Sequence, residues 1–248
     1  MILYMILLAM HSLDMFGGPK DKPVIFKGSG TYNYILSETY WKDAFSKNNG
    51  GDFVYGNPVG ASLKVDITLA RFTPPETPHY AWTFMEFTRR AHEFFFPKGF
   101  FNGYNFGFYT LSGSTSQLGE IKTQVIPVGI SLGAFAGESP WFPYYSIGGG
   151  AGFVSENWNL TTSIDSAEKS GSTSATAWYG RGTIGLIREL KGDFGLDLSV
   201  SFDYLTFAHN KDEKIPGRSI GDQEIIQSIK VELGLDFAMP WLVERTVY

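Results

Sequence analysis

The chain has no cysteine, which excludes disulfides, thiolate metal sites and thiol nucleophiles together. It also lacks any apolar run of 18 residues, so no helix can span a bilayer. A mean hydropathy of −0.08 leaves a membrane barrel open, because barrel strands escape hydropathy scans. Charge is sparse, at 18% of 248 residues, and the formal net charge of −5 offers no basic footprint for nucleic acid. Histidine is rare: His11, His79, His92 and His209 stand at no metal-ligand spacing. What is plentiful is aromatic residues, 16% of the chain, and glycine, with 29 positions, a balance suited to many strands and tight turns. One β domain over residues 24–248 is expected, preceded by a signal-like lead at 1–23. Residues 1–10 are apolar, but neither Lys nor Arg precedes them and no small-residue cleavage site is clear.

The strongest signal is alternation with period two. Val59, Ala61, Leu63, Val65, Ile67 and Leu69 share one face, and Ser62, Lys64, Asp66 and Thr68 the other. Ile126, Val128, Ile130, Leu132 and Ala134 oppose Pro127, Gly129, Ser131 and Gly133. Phe194, Leu196, Leu198, Val200, Phe202 and Tyr204 oppose Gly195, Asp197, Ser199, Ser201 and Asp203. Ile225, Ile229, Val231, Leu233, Leu235, Phe237 and Met239, with Gln227 among them, oppose Ser228, Lys230, Glu232, Gly234 and Asp236. Segments this long exceed the strands of soluble sandwiches and suit tilted strands crossing a membrane. The pattern allows an apolar face inward around a ligand, as in a soluble barrel, or outward to lipid. Charges of both signs on the opposite face, and aromatics near strand ends, favour lipid.

Following the hairpins places Trp141, Phe142, Tyr144, Tyr145, Trp158, Trp178, Tyr179, Phe194, Tyr204, Phe207, Phe237 and Trp241 at two levels, as aromatic girdles. The turns at 137–140 and 191–193 are short, while 157–175 and 209–223 are long and polar, the asymmetry of periplasmic turns and external loops. The Ser/Thr-rich stretch with Thr161, Ser163, Ser170, Ser172, Thr173 and Ser174 reads as a solvated loop. The expected fold is a closed antiparallel transmembrane β-barrel of eight strands, with ten as the alternative. Seven strands are read at 28–37, 57–71, 123–136, 142–155, 176–190, 193–208 and 224–239. The eighth is either 80–89, after a Pro-rich turn, or 100–111. Local turn chemistry favours 80–89, although Phe84, Phe87, Ala91, Phe94 and Phe95 also fit one helical face.

The run PVGISLGAFAGESPWFPYYSIGGGAGF beginning at Pro127 resembles the small outer-membrane β-barrel family that includes OmpW-like and OmpA-like barrels. Strand, brief turn, aromatic-Pro-Tyr step and Gly-rich strand follow in that order, and the likeness extends loosely from residue 57 to Met239. Glu232, Gly234, Phe237 and Met239 look like that family's insertion signal, although Pro240 and eight further residues follow. The resemblance implies a bacterial outer membrane.

Three short motifs fail their context tests. Gly129-Ile130-Ser131-Leu132-Gly133 matches a nucleophile elbow but sits inside an alternating strand. The glycine pattern from Gly180 to Gly185 lacks the strand-turn-helix setting of a dinucleotide fold, and Gly148 to Gly152 lacks a phosphate loop's Lys-Ser/Thr. No cofactor or metal is expected. The candidate site is the set of lumen-lining charges Lys64, Asp66, Arg181, Asp197, Asp203, Lys230, Glu232 and Asp236, either salt-bridged into a plug or lining a narrow polar path. Five acids against three bases predict cation preference for a path, but an eight-stranded barrel is only wide enough for side chains to fill it, which favours the plug. The expected function is a non-enzymatic outer-membrane barrel, structural or admitting small or hydrophobic solutes, with the bilayer as partner and long polar loops for extracellular contacts. Two alternatives are a soluble lipocalin-like binder and an outer-membrane lipid hydrolase or acyltransferase using His79 or His209 with a nearby serine.

Overall fold

The computed structural model describes residues 24–36, 54–55, 59–71, 94, 97–115, 119–137, 140–161, 169–190, 194–208 and 223–238. Nearly all of them are strand: β1 (Val24–Ile35), β2 (Val54–Tyr55), β3 (Val59–Arg71), β4 (Gly99–Thr115), β5 (Gly119–Phe135), β6 (Trp141–Leu160), β7 (Ser170–Glu189), β8 (Phe194–Ala208) and β9 (Gln223–Ala238). Every pairing is antiparallel. From β3 each long strand pairs with the next, and β1 closes the ring by pairing with both β3 and β9. Eight staves therefore form an up-and-down barrel with no open edge in the ring, the arrangement that satisfies backbone groups where no water is present. The two-residue β2 pairs with Gly113 and Ser114 of β4, on the edge of β4 that β3 occupies lower down, and so continues the β3 stave upward.

The alternating runs become strands because each gives the pleat one consistent outer face and one consistent inner face. The register is continuous around the ring, with one irregularity, at Thr68 and Ala70 in the β3–β4 pair. Short connections join β5 to β6 and β7 to β8. Gly137 takes a positive φ of 74°, a conformation that glycine enters without steric cost. The amide of Ala136 then donates to Pro143 O at 2.8 Å, and that of Leu190 to Phe194 O at 2.9 Å.

The eighth stave is Gly99–Thr115, seated between β3 and β5, so the expectation that favoured 80–89 is corrected. Residues 80–89 and the lead at 1–23 lie outside the described residues. Gly99–Thr115 alternates Phe100, Phe106 and Phe108 outward with Phe101, Gly103, Asn105, Tyr109 and Leu111 inward. Its inner face is mostly aromatic, glycine and leucine, which hid the alternation. The strands β6 and β7 run to Leu160 and from Ser170. Ser170, Ser172, Thr173 and Ser174 are thus strand residues, a correction to the loop expected there. Val24 and Ala238 lie at the end that carries the turns 136–140 and 190–193, the lower end. The lower end also carries the long connection 72–98, and the upper end the short one at 116–118, so short and long connections separate by side only in the C-terminal half.

Candidate functional site: the barrel interior

In the lower half β1, β3, β7, β8 and β9 send charged side chains inward and β6 sends Tyr144, and most of these groups meet in one network. Lys27 on β1 places its ammonium 2.8 Å from Asp197 Oδ1 on β8 and 3.6 Å from Glu232 Oε2 on β9. It also donates to Ser199 Oγ at 3.1 Å and Tyr144 Oη at 3.2 Å, while the Tyr144 hydroxyl donates to Asp197 at 3.1 Å. Glu232 stands 3.4 Å from Arg181 Nη1 on β7. Arg181 forks onto both oxygens of Asp203, Nε to Oδ1 at 2.7 Å and Nη2 to Oδ2 at 2.8 Å. The Lys230 ammonium completes the chain 2.8 Å from Asp203. Asp197, Lys27, Glu232, Arg181, Asp203 and Lys230 thus balance three negative charges with three positive ones across four strands. A buried charge of this kind is tolerated only when paired and hydrogen-bonded.

Glycine makes the room. Lys64 pairs with Asp66 at 2.9 Å and lies over the Phe101 ring, 4.7 Å from its centroid. A Cβ at the facing Gly103 would collide with Asp66 Oδ1, Ser131 Oγ and Lys64 Cε. Tyr144 lies across Gly185 in the same way. Counting Lys27, Lys64, Arg181 and Lys230 against Asp66, Asp197, Asp203, Glu232 and Asp236 leaves one acid in surplus. Asp236 Oδ2 is, with Asp66 Oδ1, a buried carboxylate oxygen without a hydrogen-bond partner near the lower mouth; Asp236 stands opposite Lys27 in the ladder, whose ammonium points away to Asp197.

Two positions farther up the inner face of β8 the chemistry changes. Leu205 follows Asp203, buried to 1% exposure, and with Tyr109, Leu111, Val125, Val154, Ala177, Tyr179, Phe207 and Ile226 forms an apolar cluster in the upper lumen, where Asn33, Thr123, Thr173 and Glu224 are buried as well. Glu156 is buried beside it and accepts a bond from Thr123 Oγ1 at 3.3 Å.

The outer wall reverses in step. Below, it presents Ile130, Leu132, Ile147, Ile184, Phe194, Leu198, Phe202, Leu233 and Leu235, and Trp178 reaches 78% exposure. Above Trp178 the outward residues of β7 are Thr176, Ser174, Ser172 and Ser170; β5 turns out Gln124, Lys122 and Glu120, and β6 Ser155, Asn157 and Asn159. From Phe194 to Tyr204 the apolar face of β8 covers ten steps, roughly 33 Å along the strand at about 3.3 Å per residue. A strand tilt of about 40° makes that a belt about 25 Å tall. A closed wall that is apolar outside and charged inside over this height, then polar outside and apolar inside above it, is the wall of a transmembrane β-barrel of the bacterial outer-membrane kind. The soluble lipocalin-like alternative is overturned, because the apolar faces of the belt point away from the lumen.

All eight residues singled out in the sequence face the lumen. Seven of them enter ion pairs there; Asp236 does not. Lys27, the hub on β1, was missed because β1 alternates polar residues with glycine and tyrosine, so its apolar face is weak. Four aromatics assigned to the girdles turn inward: Tyr144, Trp158, Tyr179 and Phe207 are buried. The true rim includes Trp141, stacked under Arg188 at 5.1 Å, and Phe194 against Phe237 at 5.2 Å. Trp241 lies outside the described residues, as do all four histidines. Ser131, the elbow-motif serine, is a buried strand residue that accepts a bond from Asn105.

No family model and no curated protein matches the chain, so the OmpW-like or OmpA-like resemblance stays a resemblance. Solved structures resemble it at low identity. Ail of Yersinia pestis, solved with the heparin analogue sucrose octasulfate, is 12% identical over 88% of this chain and 99% of its own, with a TM-score of 0.47. The outer-membrane protein OprG of Pseudomonas aeruginosa is 9% identical over 90% and 98%, at 0.40. Neisserial surface protein A is 9% identical over 87% and 96%, also at 0.40.

Proposed function

We propose that this protein is a non-enzymatic outer-membrane barrel whose lumen is sealed, so that its work lies at its outer surface and in its polar upper connections. The observation that carries this reading is the unbroken chain of ion pairs from Asp197 to Lys230, roofed by the apolar cluster around Leu205. An eight-stranded lumen holds side chains and little else. Opening a path would strand charges that now neutralise one another, at a cost of several kcal/mol. The upper connections are the parts that reach the surroundings, and contacts with extracellular molecules belong to them.

Planar-bilayer recording tests the seal. Purified protein that shifts in gel mobility on boiling, and so is folded, should give no conductance steps. Stepwise conductance would overturn the sealed reading and point to the polar path, whose acid surplus would favour cations.

A further inference from the structure

A barrel wall is convex, yet the outer face of β5, β6 and β7 carries a hollow of about 570 Å³ beside Ala208 of β8. That volume falls within the range of small-molecule sites. Its floor is the row Ile126, Phe153 and Thr176, apolar but for the threonine hydroxyl, and the row above it is Gln124, Ser155 and Ser174, successive partners across the three strands. The hollow therefore straddles the level at which the wall changes from apolar to polar. Its depth comes from small side chains, serine, threonine and alanine, where the belt below carries isoleucine, leucine and tryptophan.

What covers a hollow at the upper edge of a lipid belt is lipid. Among the described residues the lining carries an amide and three hydroxyls but no charged side chain; Lys122 and Glu120 stand one and two rows higher. Recognition of a phosphate calls for arginine or lysine, whereas hydroxyl and amide groups at this depth suit a neutral, hydrogen-bonding head. We propose that the hollow seats one sugar-headed lipid, its acyl chain against Ile126 and Phe153 and its sugar hydroxyls on Gln124, Ser155 and Ser174. This rests on insertion of the barrel in a bilayer and is independent of whether the lumen is sealed.

The test is native mass spectrometry of the detergent-solubilised barrel after incubation with equal amounts of glucosyl diacylglycerol and phosphatidylcholine of the same acyl chains. The wild type should retain one glucosyl lipid in preference to phosphatidylcholine. The double variant Ser155→Phe, Ser174→Phe, which fills the hollow, should lose about tenfold or more of that retention while keeping its heat-dependent gel shift. If it fails to fold, the triple variant Gln124→Ala, Ser155→Ala, Ser174→Ala decides, since removing the hydrogen-bonding row should cost about tenfold. Equal retention of the two lipids by the wild type, or undiminished retention by a folded variant, overturns the seat. A wild-type barrel that shifts on heating and holds no glucosyl lipid overturns it too, and leaves the membrane barrel standing.

Discussion

The lower and upper halves of this barrel are built from the same strands, in a register that shifts at one place, between Thr68 and Ala70, by opposite rules. Below Trp178 the wall turns apolar side chains out and charges in; from two rows above it, β5, β6 and β7 turn hydroxyls, amides and charges out, and Leu111, Val125, Leu205 and Phe207 face in beside the buried Glu156 and Glu224. On β8 the inner face passes from Asp203 to Leu205 in a single pleat repeat. The solvent outside decides which rule applies. Against lipid there is no gain in hiding apolar groups, so the interior can be polar provided that it is paired. Against water the ordinary hydrophobic effect returns, and the lumen becomes a conventional core.

Substitutions on either side of the reversal should fail for different reasons. The largest effect is expected from Asp203→Ala, which strips Lys230 of its carboxylate and Arg181 of its fork, leaving buried cations short of partners. Urea unfolding in vesicles should show a loss of about 3–5 kcal/mol; a loss below 1 kcal/mol would mean that the charges are hydrated and the lumen is open. One repeat higher, Leu205→Ala leaves a cavity in the apolar cluster and should cost about 3 kcal/mol in the same assay. On the outer face, Val200→Lys puts an ammonium near mid-belt and should cost about 2–4 kcal/mol. The same residue placed on the collar by Ser172→Lys should change stability by no more than about 0.5 kcal/mol. Equal penalties for the two lysines would erase the distinction between belt and collar.

Much of this architecture was legible in the sequence because alternation survives wherever the two environments are unlike. β3, β5, β8 and β9 could be read residue by residue for that reason. The reading failed where the environments converge or exchange. Glycine and phenylalanine alternate on β4 in place of polar and apolar residues, so its strand lost to a neighbouring segment. At the upper ends of β6 and β7 the polar face swings outward, and a serine-rich strand edge looks like a loop. The interior charges were legible one strand at a time, but their partners were not: Lys27 and Asp197 are 170 residues apart, and only ring closure brings β1 against β9 and across from β8. The inward turn of Tyr144 and Tyr179 was likewise invisible, since an aromatic suits both a rim and a lumen.

The absence of cysteine allows the reversal to be mapped directly. Single cysteines would be placed at the outward β7 positions Ser172, Ser174, Thr176, Trp178, Gly180 and Ile184, and the folded barrel in vesicles exposed to a membrane-impermeant maleimide. The account predicts reaction at Ser172, Ser174 and Thr176 and protection at Gly180 and Ile184, with the boundary at Trp178. Uniform labelling along the strand, or labelling at Ile184, would contradict it.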